Sequence, residues 1–516
     1  MAEHSETTPL LSTSEQPASQ PNHASNPASS SAVHTLKSTA QGLRTHLKTY
    51  STLYLIILFV LAIDFPSFMS QTASLRVYEL AICRDYYREH DPSVIDPHGF
   101  IDEHLCKLKG IQSGVSNMKA LKAFLDEFIG ALMVIPYGIA ADTYGRKMVV
   151  VLSVIGLLMA SSWEILVLRC FDIFPTNAFY FASGFLVIGG GNSVVVPVLL
   201  TMLADTSPPE YRTEVFFYFT SSFLVTEILA PPIGKHLMDA IGPYNTVIII
   251  IPACLSSLSF VFVIPETLQK SEQVEEPGTA SLSSDSSLLS KIQAKVIGIK
   301  MHLKEGALPL LKRPVLILVL LAMSLNKLSR PILMVTLQYV SAVFGWTLGE
   351  TSYLLSLQAT VQLGLCTIVL PIIHRYLNHR VKDTRKANLI FAKGCTIFLV
   401  AGALTMGFSR VISVFITGMV IFLLGYGYGA ALRSWATELV PKNEVALLYT
   451  VMALFDGVGA LAGAPLLYGS LSYGLGHGGS LIGLPYFVAA ILFGLSALLT
   501  WNLSEGEKIE EEETEG

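Results

Sequence analysis

The sequence predicts an all-α membrane protein of twelve transmembrane helices arranged as two six-helix bundles. Of its 516 residues, 52% are hydrophobic and only 14% are charged, and the mean hydropathy is +0.54. Apolar runs of about twenty residues recur along the chain, and such a run crosses the ~30 Å hydrocarbon layer as a helix. A polar central segment separates six runs from the other six.

Each run is expected to be a helix, because a backbone in lipid must satisfy its own hydrogen bonds and long unbroken apolar runs do so as helices rather than as barrel strands. The N-terminal set is predicted at 52–68, 124–141, 148–166, 179–203, 215–238 and 246–264. The C-terminal set is predicted at 314–340, 352–373, 387–408, 411–432, 446–467 and 481–501.

The predicted domain organisation has five parts. The tail 1–49 is rich in Ser, Thr, Pro and Gln and poor in aromatic residues, so we expect it to be disordered. Bundles over 50–267 and 313–503 flank a linker, 268–312, that is rich in Ser, Glu and Lys. An acidic tail, 504–516, follows the last helix.

The charges of the short loops predict the topology. Lys and Arg, among them Arg146, Lys147 and Arg433, concentrate in the loops on the side that the two termini share. Positive residues near helix ends stay in the cytoplasm, so both termini are expected there. An acidic dileucine pattern from Glu6 to Leu11 resembles a sorting signal, which leaves the plasma membrane and a vacuolar membrane both open.

Composition and motifs exclude several classes of function. The chain has no Walker loop and no Cys or His spacing of the kind that binds metals, so we expect no cofactor, no metal and no enzymatic activity. The net charge is -5 with no basic face, which argues against nucleic acid as a partner. The expected partners are the lipid bilayer, a small organic solute and protons, and the chain is expected to be monomeric.

A long loop at about 71–121 is expected on the outer side and carries Cys83 and Cys106. An oxidising outer compartment permits a disulfide between them, although Cys170 in the next outer loop can compete. Two interpretations stay open: a Cys83–Cys106 bridge, or two free thiols in a mobile loop.

A compact charged turn joins the second and third predicted spans, with the sequence Gly-Ile-Ala-Ala-Asp-Thr-Tyr-Gly-Arg-Lys over 138–147. The turn and the twelve-span plan resemble the Major Facilitator Superfamily and its signature G-x-L-a-D-r-x-G-R-K, over about 50–503. Ala140 replaces the usual Leu and Thr143 the usual Arg. The matching residues are Gly138, Asp142, Gly145, Arg146 and Lys147.

Other residues resemble a fungal branch of that superfamily. They are Glu79 to Tyr87, the pair Cys106-Lys107, and Gln338-Tyr339 followed by Phe344-Gly-Trp346. Members of that branch are often presumed exporters of metabolites or toxicants, so the resemblance implies efflux by alternating access.

For the turn, the resemblance implies a cytoplasmic gate. Asp142 can engage the positive N-terminus of a facing helix, while Arg146 bridges to a second carboxylate, for which Asp205 is the candidate. Such a cluster is expected to hold the two halves together and to break when the carrier opens inward. The alternative is that Arg146 and Lys147 only enforce topology.

Two stretches of small residues and prolines are predicted to bend helices. The segment 226–235 resembles a degraded form of the exporter-associated motif g-x-x-x-G-P-x-x-G-G, in which Pro231 and Gly234 match. Gly463 and Pro465 form a second version in the other half, and paired interruptions of this kind indicate internal repeats that rock. Ordinary close packing of small residues is the alternative.

Ionisable residues in the bilayer are costly and are therefore functional candidates. Asp64 is the first choice for a proton-binding carboxylate, and Glu227 is its rival. Asp456 is expected to pair with Lys327 or Arg330, as a fixed scaffold or as a pair that exchanges partners. Asp126, Glu127 and Glu164 are expected to reach the outer water or the interface instead. The superfamily's antiporter-type Arg is missing from 179–191, which weakens the case for proton antiport.

Polar and aromatic residues within the spans predict a cavity for a neutral or amphipathic organic solute. The glycines 189–191 are expected in a close-packed or flexible helix. The predicted function is proton-coupled export of a small organic molecule; the alternatives are an importer of a nutrient or anion, with Lys327 and Arg330 binding the negative charge, and a membrane solute sensor. The cavity candidates are Asn192, Asn326, Lys327, Arg330, Gln358, Gln362, Tyr426 and Tyr428.

Overall fold

The computed structural model describes residues 51–207, 212–268, 312–441 and 444–503. The predicted tails, and nearly all of the predicted linker, lie outside these residues. The described part of the chain is helical and contains no strand, which confirms the all-α prediction. Its N-terminal half comprises α1 (Ser51–Met69), α2 (Gln71–His90), α3 (Lys109–Tyr144), α4 (Arg146–Arg169), α5 (Asn192–Thr206), α6 (Arg212–Ile241), α7 (Pro243–Ile248) and α8 (Ile250–Val263).

The C-terminal half also combines long helices with broken ones. It comprises α9 (Pro314–Ser329), α10 (Ile332–Phe344), α11 (Leu348–Gly364), α12 (Leu370–Val381), α13 (Thr384–Phe408), α14 (Ile412–Leu424), α15 (Tyr428–Thr437), α16 (Val445–His477) and α17 (Leu484–Trp501). Among the described residues, eleven segments are long and apolar enough to cross a membrane. The fifth predicted span, 215–238, is not one of them, although it lies within the 30-residue helix α6.

The second span is longer than predicted. Its helix, α3, has 36 residues and begins at Lys109, whereas the apolar run on which the prediction rested begins at Phe124. The extra turns carry Lys119 and Lys122 into the bundle, where both side chains line an internal cavity. Polar groups that face a cavity do not have to enter lipid, so hydropathy alone misplaces the start of this helix.

Several of the described spans are interrupted within their length. The first span of each successive group of three is broken, at Ser70, at 188–191, at Arg330-Pro331 and at 425–427, and the sixth span is also broken, at Ile249. In carriers, broken helices at membrane depth are tolerated where the backbone lines a cavity or is buried in protein.

The break in the fourth span overturns the prediction of one helix over 179–203. A 3-10 helix, Thr176–Val187, ends before Gly189, Gly190 and Gly191, whose φ values of 85°, 75° and 59° suit only glycine. Two neighbouring side chains satisfy carbonyls freed by the break: Ser153 Oγ donates to Gly189 O at 2.6 Å, and Tyr137 OH donates to Val187 O at 2.9 Å.

The two halves meet along two helix pairs, α3 with α16 and α6 with α11. The first pair is antiparallel, because Ser113 faces Ser472 and Lys119 lies over the ring of Tyr468. We call the end of the bundle that holds Cys83 and Cys106 the disulfide end, and the end that holds the loop 138–147 the turn end. Most hydrogen bonds found between the halves in the described residues lie toward the disulfide end.

Candidate functional site

A cavity of about 730 Å³ lies between the two halves. The N-terminal half contributes residues of α1 to α5 and the glycine break, and the C-terminal half contributes residues of α9, α10 and α16. Its volume falls in the range of sites for small organic molecules. Its charged lining residues are Lys119, Lys122, Asp126, Glu127, Glu164, Lys327 and Arg330.

On the N-terminal wall, Lys122 is the centre of an ion-pair network. Its ammonium lies 2.6 Å from Asp126 Oδ2 and 2.9 Å from Glu164 Oε1, and the Lys122 side chain is 13% exposed. Tyr78 OH donates to Glu164 Oε2 at 3.0 Å. The helices α2, α3 and α4 thus supply one connected polar group, in which a single ammonium is shared by two carboxylates.

On the C-terminal wall, the charged residues are basic. Arg330 stands at the break between α9 and α10, and its guanidinium lies 4.3 Å from the centre of the Tyr426 ring. Lys327 lies one turn before it, and its charge acts on the Glu127 carboxylate across the interface between the halves. Neither Lys327 nor Arg330 forms a salt bridge with a carboxylate of the described residues.

The predicted cavity residues divide into three groups. Asn192, Lys327 and Arg330 line the large cavity. Asn326 and Tyr426 line a small hollow that also contacts Arg330. The remaining three were predicted wrongly as lining: Gln358 and Gln362 are buried in α11 outside the lining, and the Tyr428 hydroxyl bonds to Ser496 and Thr500 within the C-terminal core.

The predicted proton-binding carboxylates lie away from this cavity. Asp64 and Glu227 are partly buried, and neither lines it. Asp456 accepts a hydrogen bond from Arg433 at 2.9 Å, so the predicted direct pairing with Lys327 or Arg330 is wrong. The break in the tenth span starts α15 at Tyr428 and places Arg433 beside α16, a contact that the sequence pattern did not indicate.

The carboxylates at the cavity are those expected at the outer water or the interface: Asp126, Glu127 and Glu164. The missed signal is the spacing on α3. Lys119, Lys122 and Asp126 are separated by three and four residues, so they share one helix face. On the facing helix α4, the Glu164 carboxylate contacts this face of α3 at Lys122.

Helix packing explains the small residues predicted as bending motifs. A Cβ at Gly234 would overlap the carbonyl oxygen of Met69, and one at Gly463 would lie 2.5 Å from the carbonyl oxygen of Leu328. Pro231 and Pro465 lie inside the uninterrupted helices α6 and α16. The glycines therefore bring the backbone of α6 into contact with that of α1, and the backbone of α16 into contact with that of α9.

At the turn, Arg146 forms an ion pair with Asp205, and both residues belong to the N-terminal half. This pair therefore links the start of α4 to the end of α5 and does not join the two halves, so the expected role of an inter-half bond is wrong for it. Asp142 and Gly138 lie in the last turns of α3. Gly145 has a φ of 112°, where only glycine is unstrained.

A carboxylate that the sequence did not single out organises this turn. Glu266 accepts hydrogen bonds from the backbone N–H groups of Arg146 and Lys147, each at 3.1 Å. Lys147 Nζ in turn donates to Phe262 O at 2.7 Å and to Ile264 O at 3.0 Å. Since these two N–H groups open α4, the carboxylate occupies the positive end of that helix.

These donors predict a pH dependence. Burial works to raise the pKa of Glu266, but four backbone N–H donors outweigh it and hold the pKa below its usual range. Its contribution to stability is then present above pH 4.5, the usual pKa, and is lost as the pH falls through the lowered value. Glu266→Gln should lower the thermal unfolding midpoint at pH 7 by roughly 2 °C. The difference should shrink toward pH 3; a difference independent of pH would contradict this role.

At the disulfide end, Cys83 and Cys106 are bonded to each other. Cys106 lies in a short 3-10 helix, Glu103–Lys107, which the disulfide ties to α2. Lys107 Nζ contacts Glu79 Oε1 at 2.8 Å and Glu103 Oε1 at 2.8 Å.

The same residues reach the C-terminal half. Lys107 Nζ donates to Ser341 Oγ at 2.6 Å, and Leu348 N donates to Glu103 Oε1 at 2.7 Å. We call Glu79, Glu103, Lys107, Ser341 and Leu348 the Lys107 cluster. A little further along α3, Gln338 Nε2 donates to Gln112 O at 2.8 Å. Glu79, Lys107 and Gln338 come from the segments that resemble the fungal branch, and they meet here.

Comparisons with known proteins agree with this architecture. The chain is similar to an MFS efflux pump of Emericella nidulans, atnC, at 28% identity over 87% of each protein. It is also similar to the efflux pump ustT of Aspergillus flavus, at 26% identity over 90% of this chain and 91% of that protein.

Solved transporters share the fold. The human organic anion transporter MFSD10 superposes with a TM-score of 0.54 at 15% identity, over 87% of this chain and 99% of that one. A bacterial homologue of the iron transporter ferroportin, in an inward-facing state, superposes with a TM-score of 0.55 at 15% identity, over 87% of this chain and 98% of that one. Residues 123–464 match the profile of the Major Facilitator Superfamily. The chain belongs to that superfamily and is a multi-pass membrane transporter, not an enzyme.

Proposed function

We propose that this transporter exports a small organic molecule in exchange for protons by alternating access. The observation that carries the proposal is the cavity, because both halves build its walls and hydrogen bonds between the halves lie beyond it at one end. A site between two bundles becomes accessible to each side in turn when the bundles rock. The similar fungal proteins are named efflux pumps, which supports the outward direction.

Opening the disulfide end requires the Lys107 cluster to separate from the C-terminal half. The bonds from Lys107 to Ser341 and from Leu348 to Glu103 would break, while the contacts among Glu79, Glu103 and Lys107 stay within one half. The turn would remain a rigid unit of the N-terminal half, since Arg146, Asp205 and Glu266 all belong to it. The disulfide suits an oxidising compartment, so the termini would face the cytoplasm and the membrane would be the plasma or the vacuolar membrane.

Protons are proposed to act on carboxylates at the cavity. Glu164 and Asp126 share Lys122, so protonation of either one leaves the ammonium paired with the other carboxylate alone and better able to interact with a solute, and a bound solute can displace the proton in turn. Asp64, Glu227 and Asp456 remain candidates for a proton pathway outside the cavity lining. Exchange follows if proton and solute compete for the same polar groups.

The test is flux in sealed proteoliposomes with a panel of neutral, anionic, cationic and zwitterionic organic solutes. Uptake driven by an acid interior is the expected result and indicates antiport. Uptake driven only by an acid exterior would indicate the importer, and binding without flux in any gradient would indicate the sensor. Glu164→Gln should reduce proton-driven flux about tenfold or more, while Asp64→Asn should have the smaller effect; the reverse order would move the coupling site to Asp64.

A further inference from the structure

We propose that the cavity binds a zwitterionic organic molecule, with its anionic group at Lys327 and Arg330 and its cationic group at the acidic wall formed by Asp126, Glu127 and Glu164. This inference rests on the proposed function and specifies the substrate class of the same cavity. The geometry that supports it is the separation of charge between the two walls.

On the N-terminal wall, the lining residues comprise three carboxylates and two ammonium groups. Lys122 is already engaged by Asp126 and Glu164 at 2.6 and 2.9 Å. Lys119 points across to the C-terminal half, 5.0 Å from the centre of the Tyr468 ring. Glu127 is exposed to the cavity and forms no salt bridge with any described residue. This wall therefore presents net negative charge, and Glu127 is its accessible group.

On the C-terminal wall, Lys327 and Arg330 are the charged lining residues of the described chain, and both are positive. Asp456, the neighbouring acid, is bonded to Arg433 and does not line the cavity. Arg330 presents a planar guanidinium that can bind a carboxylate through two parallel hydrogen bonds. This wall is therefore suited to the anionic end of a ligand.

A molecule of one charge sign suits the cavity less well. A simple anion at Lys327 and Arg330 would also face Glu127, and a simple cation at Glu127 would face the two basic groups. Both arrangements place like charges together in a cavity partly shielded from water, where such contacts are strongly unfavourable. A zwitterion of matching length satisfies both walls, and Tyr78, Leu157 and Met334 supply surface for its apolar part.

The experiment uses one peptide skeleton in three charge forms: the dipeptide Phe-Phe as the zwitterion, its N-acetyl derivative as the anion, and its C-terminal amide as the cation. Binding to the purified full chain is measured by isothermal titration calorimetry, and flux is measured separately in proteoliposomes. We expect the zwitterion to bind at least tenfold more tightly than either derivative, about 1.4 kcal/mol.

Two variants assign the ends of the molecule. Arg330→Gln should remove the preference for the free carboxylate, so that Phe-Phe and its amide bind alike, whereas Glu127→Gln should remove the preference for the free amine. Lys382→Gln, outside the cavity, is the matched control and should change neither preference. Equal binding of Phe-Phe and N-acetyl-Phe-Phe to the unmodified chain would overturn the proposal in favour of an anion site, and binding of none of the three would also overturn it.

Binding and flux separate this inference from the proposed function. Preferential binding of the zwitterion without proton-driven flux would contradict exchange while leaving the substrate class in place. Proton-driven flux of another solute, with no charge preference in the dipeptide series, would contradict the substrate class alone.

Discussion

Replacing Lys107 with methionine is expected to lower transport at least tenfold and to favour the state that is open at the disulfide end. Lys107 contacts two carboxylates of its own half and Ser341 of the other half, and Glu79 is 1% exposed. Removing the ammonium leaves Arg76, at 2.6 Å, as the ion-pair partner of the buried Glu79, so the cost should be below the ~3–5 kcal/mol of a fully uncompensated buried charge. It also removes a bond that crosses the interface. Flux in proteoliposomes and labelling of single cysteines in the cavity from each side would measure the two effects.

Two further variants separate the gate from stability. Ser341→Ala removes the partner across the interface and leaves the contacts among Glu79, Glu103 and Lys107 intact, so it should shift accessibility with little loss of thermal stability. Lys382→Met is the matched control, because Lys382 is exposed, lies away from the disulfide end and forms no salt bridge with a described residue. Normal turnover and accessibility in both Lys107→Met and Ser341→Ala would show that the Lys107 cluster is not a gate.

Replacing Gly189 with alanine should severely reduce the yield of folded protein. Gly189 has a φ of 85°, and a Cβ there would overlap the backbone of Ser153 on α4. The backbone strain alone costs about 1–3 kcal/mol, and the overlap adds to it because two backbones cannot both stay in place. Size-exclusion chromatography of the solubilised protein and its thermal unfolding midpoint would measure the loss.

Gly184 provides the control for this substitution. It lies in the 3-10 helix of the same span, and a Cβ there would meet no atom within 4 Å. Gly184→Ala should therefore fold as the unmodified chain does. If Gly189→Ala folded and transported equally well, the break in the fourth span would not need three glycines in the left-handed region.

The fold was predictable because hydropathy reports lipid contact directly. Apolar runs predicted twelve spans in two sets of six, and eleven of the described segments are long and apolar enough to cross a membrane. The same signal failed for Lys122 and Glu164, because residues that face a polar cavity inside the bundle look like loop or interface residues in a hydropathy pattern. The cavity is therefore the part of the chain for which hydropathy is the weakest guide.

Contacts between distant segments were harder to predict. Asp205 was correctly proposed as the partner of Arg146, since both lie at helix ends on one side of the membrane. Glu266 binds the same turn through backbone N–H groups, and nothing in a side-chain motif indicates such an acceptor. The glycines 189–191 were predicted to lie in a close-packed or flexible helix, and nothing in the sequence pattern indicated that the helix ends there.

The pivoting of the two halves is best measured by pulsed electron paramagnetic resonance, as one distance between the halves at the disulfide end and one at the turn end. Spin labels on cysteines at Leu105 and His477 report the disulfide end, and labels at Tyr144 and Thr384 report the turn end, in a chain whose free cysteines Cys170, Cys254, Cys366 and Cys395 are replaced by serine. When the pH or a bound solute shifts the equilibrium, one distance should lengthen as the other shortens. Distances that lengthen together, or that never change while transport continues, would contradict alternating access.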